Sequence, residues 1–331
     1  MTENNLPSLL EKMASHSERS RGDLLEELNS IFEVPITGEG LARNVILSHH
    51  YLEDQHDDLS LRFLTRLKSF ILEQNAPSET LLDDTAEWVI TVLEEAGPHL
   101  LLSEAELIFG VIEEVPAQSD MLSTWLFGRL CERMIKNGIA TRDDATRIVR
   151  TMNLVQAPLV SREEAARLYE VNDIIGTAEN DPSWALVFSR AVGNCLLGMA
   201  HPNPEVAANV LDRRIWLSAD RRNLSGVAET VISDLDKSGW FEGLAASALH
   251  AERAREKASK PPKTETKRSL FDRIRGVAGP KAEESNVVQN GWLKRRLGWQ
   301  ANTSAGEQAL VDLLNLQAPG FLRALPAAVA A

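Results

Sequence analysis

The chain has 331 residues, 44% of them hydrophobic, 25% charged and 5% aromatic, with a formal net charge of −13. That is ordinary globular usage with enough length for a substantial core, and its acidity excludes a generic nucleic-acid or anionic-membrane surface. Cys131 and Cys195 are the only cysteines, each in an apolar helical stretch, and the best fit is two buried free thiols in a reducing compartment.

Leu, Ala, Glu and Arg dominate, and the alternating Val/Ile/Thr runs of strands are nearly absent, so the ordered parts are expected to be all-α. The N-terminal stretch "MTENNLPSLLEKM" carries neither a basic start nor a long apolar run, and no segment approaches the ~20 apolar residues of a bilayer span. The expectation is a cytoplasmic protein without stable membrane insertion.

Residues 1–82 read as N-terminal helices, interrupted at "VPITGEG" and ending on a degenerate repeat copy at 58–76. Within them, "HHYLEDQHDD" (49–58) is the strongest candidate for chemistry. On a helix, His49, Glu53 and His56 stand at i, i+4 and i+7, on one face, where two imidazoles and a carboxylate can hold a divalent metal. His50 and Asp54 make a second i, i+4 pair. The competing reading is a solvated polar turn ahead of the helix that starts near Leu59.

Residues 83–198 show self-similarity at about 60 residues. "DDTAEWVITVLEEAGP" (83–98) aligns with "DDATRIVRTMNLVQAP" (143–158), and "EAELIFGVIEEV" (104–115) with "EAARLYEVNDII" (164–175). Trp125 falls on Trp184, and Gly138 on Gly198. The unit so defined is three helices, the last opening on Trp and closing on Gly. Thr141, Ser103, Ser161 and Ser304 are the expected N-caps, with acids in the following turn to meet unpaired N–H groups. "NGIATRDDATRIV" (137–149) looks like the back half of a calcium loop, but Arg133, Ile135 and Asn137 occupy the loop positions that need oxygen ligands. It is read as a helix start.

Residues 199–251 offer further amphipathic helices, and Arg213, Arg214, Arg221 and Arg222 form a cluster able to grip an acidic peptide. Residues 252–290 form a tether expected to be disordered: within them, 252–281 hold ten Lys/Arg against four Asp/Glu. Inside the tether, "SLFDRIRGV" sets Leu270, Phe271 and Ile274 among arginines, the pattern of a short docking segment that orders on a partner. Residues 291–331 form a C-terminal helical segment that repeats the Trp–Leu–x–x–Arg–Leu start at "WLKRRLGWQ".

The units "NGIATRDDATRIVRTM", "LVSREEAARLYEVNDIIGTAENDPSWALVFSRAVGNCLLG" and "WLKRRLGWQANTSAGEQALVDLL" resemble tandem helical modules of uncharacterised bacterial proteins, and more remotely TerB-like tellurite-resistance domains. The resemblance covers about 83–198 and 292–316. It implies a compact helical bundle and, through the TerB-like group, carboxylate binding of divalent metal, although no carboxylate motif here matches residue by residue.

Gly-rich phosphate loops, HExxH, CxxC and nucleophile elbows are all missing from the sequence, so no catalytic residue and no organic cofactor is assigned. The reading is a non-enzymatic helical-repeat adaptor recruiting protein partners and not nucleic acid. The alternative is a divalent-metal-binding, TerB-like stress-response protein using His49, Glu53 and His56.

Overall fold

The computed structural model describes residues 18–33, 35–52, 57–75, 81–115, 120–200, 204–218 and 304–317. All regular structure among these residues is helical, so the all-α expectation holds. The chain divides into two compact units, one of residues 1–157 with 167–183, the other of residues 158–166 with 184–331.

The first unit contains α1 (Glu18–Phe32), α2 (Glu39–Leu52), α3 (Asp57–Asn75), α4 (Asp83–Ala96), α5 (Leu102–Glu114), α6 (Asp120–Asn137) and α7 (Arg142–Leu154), with the greater part of α8 (Arg162–Ile175). Apolar spacing explains each helix. In α3, Leu59, Phe63, Leu67, Phe70 and Ile71 recur at three- and four-residue intervals and are all buried. In α5 the burial extends around more of the helix, through Ala105, Leu107, Ile108, Phe109, Val111 and Ile112, because α3 lies on one side and α7 on the other.

Packing follows alternate helices. α2 lies against α4 and α4 against α6, while α1, α3, α5 and α7 form a second succession; α2–α3, α3–α4, α5–α6 and α6–α7 contacts join the two layers. Ion pairs lace neighbours within each layer: Arg43 of α2 to Glu95 of α4 (Nε–Oε2 2.7 Å), Lys68 of α3 to Glu114 of α5, and Arg150 of α7 to both Glu106 and Glu113 of α5 (2.8 and 2.7 Å). The stack therefore advances two helices at a time, about 40 residues, as in stacked helical-pair arrays. The 60-residue relation read from the sequence maps α4 onto α7, which belong to different layers. Trp125 and Trp184 likewise differ: Trp184 is 2% exposed, whereas Trp125 is half-buried and donates its indole N–H to Glu94 at 2.9 Å.

The helix starts use one device repeatedly. Thr141 and Asp144 exchange hydrogen bonds at the head of α7, as do Ser161 and Glu164 at α8. At α5 the expectation was displaced: Ser103 lies inside the helix, and Glu104 accepts the Leu101 N–H at 2.8 Å. Gly138 ends α6 with φ 70°, a left-handed conformation that suits glycine. Gly198 does not end its helix. It sits inside α9 (Pro182–Ala200), where a Cβ would meet Leu159 at 2.9 Å.

The second unit holds most of α9, with α10 (Pro204–Val210), α11 (Arg213–Ser218) and α12 (Ala305–Gln317). α9 is buried around most of its circumference, through Trp184, Phe188, Ala191, Val192, Cys195 and Leu196. Asn194 cross-links the segments beside it, accepting the Val160 N–H at 2.8 Å and donating to Leu211 O at 2.6 Å. α12 begins with a reciprocal Ser304–Glu307 box and lies on α9, where a Cβ at Gly193 would meet Leu313 at 2.9 Å.

Candidate functional site

The histidine pair at the end of α2 divides its duties. His49 is 1% exposed and stacks on Phe63 of α3, ring centroids 3.8 Å apart and 18° from parallel, with Ser60 Oγ 3.4 Å from its Nε2. Glu53 and His56, the other expected metal ligands, lie outside the described residues. His50 turns to α5, its Nδ1 2.8 Å from Glu104 Oε1. Among the described residues no group of three or more His, Cys, Asp or Glu side chains is arranged to hold a metal.

Arg213, expected to grip an acidic partner, is 1% exposed and spent inside the second unit. It forks onto both oxygens of Glu164 (2.8 and 3.1 Å) and donates to Leu159 O. Arg214 is exposed, its N–H donating to Asp212 at 2.9 Å. Leu270, Phe271 and Ile274, with the whole tether, fall outside the described residues. Both thiols are enclosed, and burial pushes Cys131 and Cys195 up to about 12, far from thiolate formation at neutral pH.

A cleft of about 260 Å³ opens in the first unit between α6 and the α4–α5 connection, lined by Pro98, His99, Leu100, Arg129, Glu132, Arg133, Lys136 and Asn137. The α6 contributors recur at three- and four-residue steps, so one face of the helix presents three cations and one acid. Arg129 Nη2 donates to Gly97 O at 3.1 Å and Arg133 Nη1 to Leu100 O at 3.2 Å. These carbonyls follow the C-terminus of α4, where the helix dipole also favours cations. The connection is held from its other side by His50 and Glu104. Glu104 fixes Leu101, and a Cβ at Gly97 would meet His50 Nε2 at 2.5 Å.

Charge in the cleft is unevenly neutralised. Glu132 accepts from Arg129 and from Arg167, each at 3.0 Å. Arg129 also lies over the Trp125 ring, 5.6 Å from its centroid. Arg133 and Lys136 have no carboxylate partner among the described residues. Lys136 Nζ instead lies 2.7 Å from His99 Nε2, within hydrogen-bond reach.

No family model, curated protein or solved structure matches this chain.

The cleft was half-visible in the sequence. Arg129, Arg133 and Lys136 form a basic stripe on a helix of an acidic chain, a pattern that by itself fits a solvated helix face equally well. Their carbonyl partners lie 32 and 33 positions upstream, beyond any local pattern.

Proposed function

We propose that this is a cytoplasmic, non-enzymatic adaptor that recruits protein partners through its helical array and through the 252–290 segment. The observation that carries the reading is the alternate-helix stack of the first unit. Such stacking offers a long side-chain surface set by successive helices, the means by which helical arrays engage other proteins. Two further observations support it. Both cysteines are held as thiols, which leaves them without nucleophilic character at neutral pH. No described helix is long and apolar enough to cross a membrane.

The test is affinity capture from lysate with the full chain beside a chain lacking 252–290, followed by reconstitution with the purified candidate. A defined protein bound in about stoichiometric amount, and weakened by the deletion, is the expected result. Failure of every captured protein to rebind the purified chain removes the adaptor reading.

The TerB-like alternative rests on His49, Glu53 and His56, and it would require a ring now enclosed against Phe63 to turn outward. Elemental analysis of the purified full chain separates the two readings. The adaptor reading expects less than about a tenth of an equivalent of zinc or a similar ion, since a three-ligand site retains metal through purification. Near one equivalent, lost in His56→Ala, favours the alternative.

A further inference from the structure

We infer that the cleft between α6 and the α4–α5 connection binds an acidic segment of a partner protein, with Arg133 and Lys136 taking an Asp or Glu carboxylate. The inference rests on the adaptor reading and names the chemistry of one partner contact.

Three observations converge. First, the cations are placed before any ligand arrives: Arg133 by its bond to Leu100 O, Lys136 by His99, with Arg129 holding the floor at Gly97 O. Preorganised donors lose little freedom on binding. Second, Arg133 and Lys136 meet no carboxylate among the described residues, whereas Arg129 on the same helix face and Arg167 both pair with Glu132. A planar guanidinium and an ammonium three positions apart on one helix face suit the two oxygens of one carboxylate. Third, about 260 Å³ accommodates one or two side chains, and Pro98 and Leu100 supply an apolar wall for their methylenes.

The surroundings narrow the ligand. A net charge of −13 opposes an extended polyanion such as nucleic acid or an anionic bilayer, which would lay many charges on the acidic body at once. Glu132 stands in the cleft wall, and its charge disfavours a dianionic phosphoryl group more than a monoanionic carboxylate.

The experiment uses the full chain and three fluorescein-labelled peptides of one backbone, carrying central Glu residues, Gln at the same positions, or phosphoserine there. Fluorescence anisotropy is expected to show binding of the Glu peptide, at least about tenfold tighter than the Gln peptide. Lys136→Gln and Arg133→Gln should each weaken it about tenfold, Lys136→Arg should retain it, and Arg62→Gln, at an exposed position of α3, should leave it unchanged. Because Arg133 also holds the connection, Lys136→Gln is the decisive variant, with circular dichroism confirming its fold. Equal binding of Glu and Gln peptides, or no loss in Lys136→Gln, overturns the assignment. Preference for the phosphoserine peptide overturns the carboxylate choice. Partner capture that persists in Lys136→Gln while the Glu peptide fails removes this inference alone. Loss of all capture by the parent chain removes the adaptor reading, and the peptide result still judges the cleft.

Discussion

Gly97 shows how much a single position carries. Its place is set by what approaches it, since the His50 imidazole occupies the space a side chain would need. Gly97→Ala should cost about 1–3 kcal/mol in urea unfolding, the usual range for overpacking. In a His50→Ala background most of that cost should vanish, and a double-mutant cycle measures the difference. The cysteines give a pH signature at the same scale. An unfolded thiol ionises near 8.5, whereas burial holds Cys131 and Cys195 protonated to about 12. The unfolded chain thus sheds protons first, and stability should fall as pH rises from the unfolded value toward the folded one. Iodoacetamide at pH 8 should label neither thiol in the native chain and both in guanidinium. Rapid native labelling would show that the two sites open easily.

Helix by helix, the decisive contacts are the acids near the starts. Glu104 and Glu164, sixty positions apart, each accept an N–H from their own helix start and also a distant base, His50 for one and Arg213 for the other. Arg213→Ala leaves Glu164 without its cation and should cost about 3–5 kcal/mol, as for other broken buried pairs. Thr141→Ala removes one cap of a more open kind and should cost about 1 kcal/mol by thermal melting. Equal effects of the two would contradict the burial of the Glu164–Arg213 pair. The same starts explain what the sequence could and could not disclose. Apolar stripes and Ser/Thr-x-x-acid boxes are local, so α3, α7, α8 and α12 were legible. Ser103 misled because Ser-x-x-Glu spells a box wherever it falls, while Glu104 already satisfies the start at Leu101, two residues earlier. Gly198 resembled a stop because its crowding by Leu159 comes from 39 positions away. Every helix in this chain needs similar opening chemistry, so similarity recurs helix by helix, and a three-helix offset aligns well without being the step of the packing. The basic cleft needed knowledge of that packing, and so only its α6 half could be read.

Across the whole molecule, the −13 charge acts against compaction. The exposed ion pairs between helices contribute little each, roughly 0–1 kcal/mol, whereas screening relieves repulsion everywhere. Raising NaCl from 10 to 150 mM should therefore increase the urea midpoint, and a decrease would assign the pairs a larger share than their exposure suggests. The alternate-helix stack also bears on how the first unit is assembled in time. Its bonds reach along the chain by tens of positions, as from Arg43 to Glu95 or from Arg150 to Glu106, and each helix needs only the one or two that follow it. Loops closed on the way to the native state are accordingly short, and little entropy is lost before a contact rewards it. During synthesis, α2 and α3 can dock as soon as they emerge, and each later pair finds a finished surface waiting.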